Sequence, residues 1–250
     1  MNRFEEQVAI VTGGASGIGA GIAWRLASEG AAVNLFDTDE VGLLEQARSM
    51  KKAGHKVDAF VVDISSESQV KAGVNEVVNR NQQLDIMINC AAVVGPTATR
   101  IEEYTVDEFQ RVVDINLTGA FIITKYAIEP MAKKDYGRIL LITSIGGKEG
   151  NPGMAGYASS KSGVIGLVKG IGKEYAKTGI TVNGIAPAVI STPMNQDTSP
   201  EMLEYMKAKI PMGRLGTIDE VASLACWIVS KEASFNTGFI FDISGGRATF

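Results

Sequence analysis

A tyrosine and a lysine four residues apart form a pair with a clear chemical use. Tyr157 and Lys161 fall in an apolar-periodic stretch that predicts a long helix to about Lys177, so both side chains share one helical face. An ammonium group beside a phenol favours the phenolate, and the tyrosine pKa is expected to fall if the pair is partly desolvated. The spacing therefore predicts that Tyr157 transfers protons and that Lys161 activates it.

The same spacing occurs again at Tyr205 and Lys209. The two pairs differ in what precedes them along the chain. Ser144 follows directly on a predicted strand, Arg138–Thr143, and a hydroxyl at such a strand end points into the ligand crevice of a parallel sheet. No serine-bearing strand end precedes Tyr205, so we predict that the second pair is not catalytic.

A glycine-rich turn near the amino terminus predicts a phosphate-binding loop. Glycine lets the backbone approach a pyrophosphate, and the following helix offers unpaired N–H groups, although such turns also occur without a ligand. Asp37 ends the next predicted strand, where a carboxylate accepts both ribose hydroxyls and repels a 2′-phosphate. These features together favour NAD. The turn reads Thr12, Gly13, Gly14, Ala15, Ser16, Gly17, Ile18 and Gly19.

The elements that position these residues follow a regular rhythm. Short runs rich in Val and Ile alternate with longer amphipathic stretches, which predicts a single-domain α/β Rossmann fold with a seven-stranded, doubly wound parallel sheet and helices on both faces. In such a sheet the loops at the carboxyl ends of the strands line one crevice. The predicted strands are Val8–Thr12, Val33–Asp37, Val57–Asp63, Asp85–Asn89, Arg138–Thr143, Thr181–Ile185 and Phe239–Ile243.

One polar segment breaks the rhythm. It extends from Thr192 to Pro200 and precedes the amphipathic stretch Glu201–Lys209. We therefore predict one NAD-binding domain over residues 1–250, with a substrate lid over about residues 192–210.

Composition narrows the class of protein. Hydrophobic residues make up 45% and charged residues 21%, as in globular proteins, and the net charge of −4 without basic runs argues against nucleic acid. The apolar runs are too short to span a membrane, and Glu5 and Glu6 do not suit a signal peptide, so we expect a cytoplasmic location. Cys90, Cys226 and a single histidine, His55, predict neither disulfides, a metal site nor serine–histidine hydrolysis. His55 is predicted to be a surface turn residue.

These motifs together resemble the classical short-chain dehydrogenases/reductases over nearly the whole chain. The glycine turn resembles the family's cofactor turn, and the order and spacing of the other motifs agree with it. The resemblance implies that Ser144 hydrogen-bonds the substrate oxygen, Tyr157 exchanges its proton and Lys161 also binds the nicotinamide ribose. It further implies that Asn116 holds a water that leads to solvent. The residues that match the family's catalytic set are Asn116, Ser144, Tyr157 and Lys161.

The resemblance also implies the positions that hold NAD. Asp63 falls where the family's aspartate holds the adenine amino group, and Pro187, Ile190 and Thr192 match the segment that positions the nicotinamide. Ala92 departs from the family, which commonly has glycine there, and leaves less room beside the adenine ribose. The predicted cofactor residues are Gly13, Ser16, Gly17, Ile18, Gly19, Asp37, Asp63, Ile64, Asn89, Ala91, Tyr157, Lys161, Pro187, Ile190 and Thr192.

The loop from Ser144 to Pro152 resembles those of 2-keto-3-deoxy sugar acid dehydrogenases and of β-ketoacyl-carrier-protein reductases. Because those reductases usually select NADPH, Asp37 favours a dehydrogenase for a sugar, sugar acid or related hydroxy compound. The predicted substrate contacts are Ser144, Lys148, Asn151 and Tyr157, with Glu149 and Arg247 as further candidates.

Alternatives to this function stay open at this point. One is a 3-oxoacyl-[acyl-carrier-protein] reductase-like or hydroxysteroid-type dehydrogenase, and the other is a non-catalytic dinucleotide-binding protein. The helices around Phe109–Met131 and Met154–Lys177 resemble those that pair in the family's dimers and tetramers. We therefore expect a homotetramer with a small-molecule substrate.

Overall fold

A computed structural model describes residues 2–192 and 200–248. Seven strands form one parallel sheet in the order β3-β2-β1-β4-β5-β6-β7, which confirms the predicted doubly wound fold. The third strand ends at Val61, earlier than predicted, so Asp63 lies in the loop beyond it. The strands are β1 (Val8–Thr12), β2 (Ala32–Asp37), β3 (Val57–Val61), β4 (Ile86–Asn89), β5 (Gly137–Ile142), β6 (Ile180–Pro187) and β7 (Ile240–Ile243).

Helices cover both faces of this sheet. Alternate residues of β1 enter different cores: Val11 packs in the core that contains helix α1, and Ile10 packs in the one on the opposite face. Continuous apolar strands of this kind are typical of parallel sheets buried on both faces. The helices are α1 (Gly17–Ser28), α2 (Glu40–Lys52), α3 (Glu67–Asn81), α4 (Val106–Val113), α5 (Gly119–Lys134), α6 (Ile145–Glu149), α7 (Ala155–Glu174), α8 (Pro200–Ala208) and α9 (Ile218–Ile228).

The predicted helix around Phe109–Met131 is not a single α-helix. A π-helical turn, Asp114–Thr118, separates α4 from α5 and contains Asn116. Such turns insert an extra residue into the helical repeat and often occur at functional sites. Asn116 is buried in this turn, and the 3.6-residue repeat of a regular α-helix does not predict that position.

The predicted lid falls partly within helix α8. Residues 193–199 lie outside the described residues, whereas Thr192 and α8 are described. None of the helices in the described parts of the chain combines the length and apolarity of a membrane-spanning segment. Across residues 2–192 and 200–248, no cluster of His, Cys, Asp and Glu side chains is suited to hold a metal ion.

Candidate active site

The carboxyl ends of the strands open onto one crevice with a volume of about 1570 Å³. Gly13, Asp37 and Asp63 line it where β1, β2 and β3 end, and Ser144 and Tyr157 line it beyond β5. The crevice therefore brings the predicted dinucleotide loop and the predicted catalytic residues into one site.

The glycine turn packs too tightly for side chains at two of its positions. Gly13 has φ +66°, and a Cβ there would approach the backbone nitrogen of Ala91 to 2.9 Å. A Cβ on Gly19 would clash with the carbonyl oxygen of Gly13. The first turn of α1 contains no acidic residue. The exposed backbone and the positive end of α1 therefore suit an anionic pyrophosphate.

Asp37 is held against the glycine turn by backbone groups. Its Oδ2 accepts a hydrogen bond from the Ala15 nitrogen at 3.0 Å, and its Oδ1 accepts one from the Asp39 nitrogen at 3.1 Å. An ionised carboxylate has further lone pairs on both oxygens, and this one lines the crevice. Asp37 is therefore placed to accept the hydroxyls of a ribose.

The loop after β3 forms the next part of the wall. Asp63 Oδ1 accepts hydrogen bonds from the Ser65 nitrogen at 2.9 Å and the Ser65 hydroxyl at 2.7 Å. These bonds fix the carboxylate where it lines the crevice beside Ile64. The role of Asp63 and Ile64 in holding an adenine stays a prediction.

Thr12 is a positioning residue, a role that the sequence motifs did not predict for it. Its buried hydroxyl donates to Asn89 Oδ1 at 2.6 Å and accepts from the nitrogens of Cys90 and Ala91 at 3.2 and 3.1 Å. Asn89 was predicted to bind the cofactor, but it is not among the described residues that line the crevice. Its amide is turned toward Thr12, so it shapes the loop that carries Ala91. Thr12 and Asn89 are register partners at the ends of the neighbouring strands β1 and β4, and this pairing explains why their side chains meet.

The catalytic candidates meet at the end of β5. Ser144 Oγ accepts a hydrogen bond from the Gly146 nitrogen at 3.0 Å and caps α6. Burial raises the pKa of Tyr157, while a hydrogen bond with the Ser144 hydroxyl acts to lower that pKa. The two hydroxyls are therefore close enough to hold one substrate oxygen between them.

Lys161 lies one helical turn beyond Tyr157 in α7. Its Nζ donates to the carbonyl of Ile142 at 2.9 Å and lies 5.8 Å from the centroid of the Tyr157 ring. Burial lowers the pKa of Lys161 to about 8. The expected fall of the Tyr157 pKa is not seen in this structure, because burial raises that pKa. The activation of Tyr157 by Lys161 stays a prediction.

Asn116 connects two parts of the site. Its Oδ1 accepts from the Val93 nitrogen at 2.8 Å, and its Nδ2 donates to the Val93 carbonyl at 2.9 Å and to Ser160 Oγ at 3.1 Å. Ser160 in turn donates to the carbonyl of Tyr157 at 2.9 Å. Asn116 therefore ties the loop after β4 to the helix that carries Tyr157, and its role in a water relay stays a prediction.

The predicted substrate contacts divide into two groups. Asn151 and Arg247 line the crevice. Lys148, by contrast, is not among the described residues that line it, because its ammonium lies 3.4 Å from the carboxylate of Asp242 and its side chain is only 8% exposed. Its position gives the predicted substrate contact no support, because Lys148 links α6 to β7. The remaining cofactor candidates in the crevice wall are Ser16, Gly17, Ile18, Gly19, Pro187, Ile190 and Thr192.

Other side chains enter the crevice that the motifs did not reveal. They come from α4, the π-helical turn, α8 and the residue that follows α8. His55 is not one of them: it is half-buried, and its ring centroid lies 5.7 Å from that of Trp24. An amphipathic pattern shows which face of a helix is polar but does not show that this face borders a ligand site. These lining residues are Asp107, Gln110, Arg111, Asp114, Met202, Tyr205, Met206 and Lys209.

Comparison with known proteins finds relatives that match nearly the whole chain. A family model described as Enoyl-(Acyl carrier protein) reductase matches residues 13–248. The chain is 41% identical over 248 residues to a 2-dehydro-3-deoxy-L-rhamnonate dehydrogenase (NAD(+)) of Sphingomonas sp. (strain SKA58), which covers 99% of this chain and 98% of that relative. It is 35% identical over 245 residues to a 3-oxoacyl-[acyl-carrier-protein] reductase of Thermotoga maritima, at 98% of both chains.

A solved structure shares the fold as well. The crystal structure of an NAD+-bound xylitol dehydrogenase superimposes with a TM-score of 0.92 at 31% identity, over 97% of this chain and 99% of that chain. The likeness therefore extends over nearly the whole of both chains.

Proposed function

The chain belongs to the short-chain dehydrogenase/reductase family, and on this premise we propose that it is an NAD-dependent oxidoreductase that acts on a secondary alcohol or ketone. Its substrate is a sugar, a sugar acid or a related hydroxy compound. One observation carries this proposal: Ser144, Tyr157 and Lys161 meet in the crevice that also contains the glycine turn and Asp37. The crevice thus joins a proton-transfer site to a dinucleotide site.

The residues at the carboxyl ends of β1, β2 and β3 fit NAD. The glycine turn leaves its backbone open to a pyrophosphate, Asp37 accepts the ribose hydroxyls, and Asp63 with Ile64 receives the adenine. Pro187, Ile190 and Thr192 would border the nicotinamide, and Lys161 its ribose. When bound, NAD supplies the hydride acceptor for alcohol oxidation.

The side chains of the site handle the proton and the substrate oxygen. The hydroxyls of Ser144 and Tyr157 hold the substrate oxygen, and the Tyr157 phenolate removes the alcohol proton while the carbon loses its hydride. In the reverse direction the phenol donates that proton to the ketone oxygen. The ammonium of Lys161 stabilises the phenolate through its positive charge.

Two relatives favour different substrates for this site. The Sphingomonas relative is a 2-dehydro-3-deoxy-L-rhamnonate dehydrogenase that uses NAD, and the Thermotoga relative is a reductase of 3-oxoacyl-[acyl-carrier-protein]. Asp37 supports the first, because a 2′-phosphate beside this carboxylate would meet like charge. A non-catalytic dinucleotide-binding protein is disfavoured by the complete catalytic set.

The proposal extends to the lid and the assembly. Helix α8 presents Met202 and Tyr205 to the crevice and is proposed to close over bound substrate. Leu117 and Phe121, which is 48% exposed, line a shallow apolar groove along α5 and α7 that supports subunit contact in a homotetramer. Light scattering coupled to size-exclusion chromatography tests the assembly. A cytoplasmic location stays a prediction.

The test of function follows NADH absorbance across sugars, sugar acids, polyols, hydroxysteroids and β-ketoesters. We expect turnover with NAD on a hydroxy compound, and its absence throughout the panel would favour the binding-protein alternative. Asp37→Ala should raise the KM for NAD about tenfold or more and improve the use of NADP, because charge-assisted hydrogen bonds are lost together with the repulsion.

Asp39→Ala is the matched control for this variant. Asp39 caps α2 by accepting a hydrogen bond from the Gly42 nitrogen, and it is not among the described residues that line the crevice. Its loss should weaken the helix and leave the preference for NAD in place. An equal change of preference in both variants would remove Asp37 from the cofactor site.

A further inference from the structure

Arg247 is a nearly buried cation in the crevice wall. It follows β7 near the carboxyl terminus, its side chain is 10% exposed, and it lines the same crevice as Ser144 and Tyr157. We infer that Arg247 binds a carboxylate of the substrate, so that the enzyme acts on hydroxy acids in preference to neutral polyols. This inference rests on the proposed oxidoreductase function and narrows its substrate class.

The guanidinium of Arg247 is held in a fixed orientation. Its Nε and Nη2 donate to Glu149 Oε2 at 3.0 and 2.9 Å, and Nη2 lies 3.5 Å from Asn151 Oδ1. A guanidinium has five N–H donors, and Nη1 has no partner among the described side chains. The residue therefore keeps two donors on one nitrogen for an anion, and its planar group suits a carboxylate.

Asn151 connects Arg247 to the reacting centre. Its Nδ2 lies 2.8 Å from the position that a Cβ would occupy on Gly146, and Ser144 Oγ lies 3.4 Å from the same point. Asn151 is thus a near neighbour of the serine that holds the substrate oxygen. A ligand that extends from Ser144 past Asn151 to Arg247 can place a hydroxyl at the first residue and a carboxylate at the last, as in a hydroxy acid.

The charges around the crevice favour an anion at this place. Asp107 and Asp114 line the wall formed by α4 and the π-helical turn, where a carboxylate would meet like charge. Arg111 and Lys209 also line the crevice, but both are exposed and lie on α4 and just beyond α8. Glu149 offsets the cost of burying the Arg247 guanidinium and fixes it in place, so that binding depends on geometry more than on net charge.

Arg247 also has a structural alternative, since it links the carboxyl-terminal segment to α6. Lys148 makes a second link between the same two parts of the chain through Asp242, without lining the crevice within the described residues. Lys148→Met is therefore the matched control. A purely structural role for Arg247 predicts that both variants alter all substrates equally.

The experiment compares aldonates with alditols of the same carbon number, gluconate with glucitol and xylonate with xylitol. We expect Arg247→Met to raise the KM for the aldonate about 10- to 100-fold, the loss typical of charge-assisted hydrogen bonds, and to leave that for the alditol nearly unchanged. Arg247→Lys should fall between, because it keeps the charge and loses the planar pair of donors. Lys148→Met should change both substrates by one common factor.

A second measurement needs no turnover. Calorimetric titration of the enzyme–NADH complex with the aldonate forms a dead-end complex, whose affinity should fall in Arg247→Met by the same factor. The inference would be overturned if Arg247→Met weakened the binding of aldonate and alditol equally. It would also be overturned if Arg247→Met had no effect while Arg111→Met or Lys209→Met weakened the binding of the aldonate alone. A wild-type enzyme that prefers alditols would also overturn it while leaving the oxidoreductase function intact. Turnover of no substrate with NADH still bound would instead count against the proposed function.

Discussion

Two tyrosine–lysine pairs of the same spacing line one crevice in very different surroundings. Lys161 is 3% exposed and donates to a strand carbonyl, and its partner Tyr157 shares a hydrogen bond with Ser144. Tyr205 is 56% exposed, and the Nζ of Lys209 lies 4.2 Å from the centroid of its ring. Sequence spacing places a cation near a phenol in both cases, but only the first pair has partners that fix the phenol beside a substrate oxygen.

Burial also makes the first pair costly. Desolvation lowers the pKa of Lys161 to about 8 and raises that of Tyr157, so both charged forms are disfavoured in the folded protein. Perturbed ionisation of two neighbouring groups in a crevice is the pattern expected of a catalytic site.

The largest expected difference between the pairs is in turnover. Tyr157→Phe should lower kcat by roughly 100- to 10,000-fold, because it removes the group that transfers the proton. Tyr205→Phe should change kcat only modestly, since that hydroxyl at most covers the substrate. Steady-state rates with NAD and the best substrate of the panel measure both effects.

Binding of NADH, followed by fluorescence, is the control for this comparison. It should be nearly unchanged in both phenylalanine variants. Substantial activity in Tyr157→Phe, or a collapse confined to Tyr205→Phe, would move the active site to α8.

The lysines should differ next in stability and its pH dependence. The Lys161 pKa is lowered from 10.5 to about 8, so between these values the unfolded chain binds more protons than the folded one and stability rises with pH. Lys161→Met should therefore stabilise the protein at pH 7 by on the order of 2 kcal/mol, with an advantage that shrinks toward pH 10, while activity falls. Urea denaturation at several pH values measures this.

Lys209→Met provides the comparison for the stability series. Lys209 is exposed, so its replacement should change stability by less than about 0.5 kcal/mol at every pH. If Lys161→Met and Lys209→Met gave the same flat profile, the burial of Lys161 would carry no energetic cost and the contrast between the pairs would fail.

The sequence predicted the sheet for physical reasons. Continuous apolar runs and glycine turns are local signals, so the strands formed the predicted sheet, with Gly13, Asp37 and Tyr157 in the wall of one crevice. The π-helical turn at Asn116 and the reversed direction of the Tyr157 pKa were not predicted. Both depend on what packs against a residue from distant parts of the chain.

Lys148 shows the same limit at the substrate end. A lysine in the loop after the catalytic serine is a reasonable anion partner by sequence, but its contact with Asp242 depends on β7, nearly a hundred residues later along the chain. Arg247 enters the crevice from that same distant segment. The direction of the side chain therefore distinguishes Arg247 from Lys148 as a substrate contact, which the sequence alone could not do.

A smaller effect concerns the hydroxyl that only the first pair has beside it. The hydrogen bond with Ser144 acts to lower the pKa of Tyr157, and alcohol oxidation needs the phenolate. Ser144→Ala should therefore move the rise of the oxidation rate to higher pH, in addition to slowing turnover. Ser162→Ala is the control, because its hydroxyl lies on α7 but donates to the Gly147 carbonyl at 2.7 Å. An unshifted pH profile in Ser144→Ala would contradict the coupling of the two hydroxyls.

The smallest expected effect distinguishes a fixed helix from one that moves with the ligand. In α7, Val164 and Val168 are buried in the core, whereas α8 exposes Met202 and Tyr205 beside the crevice. Because few buried contacts hold α8, its amides should exchange faster than those of α7 and slow a few-fold when NAD and substrate bind. Hydrogen exchange followed by mass spectrometry measures both helices in one sample, with α7 as the internal reference. If exchange in α8 is already as slow as in α7 and does not change when ligand binds, then Tyr205 and Lys209 belong to a part of the crevice that does not move. The two tyrosine–lysine pairs would then differ in burial alone.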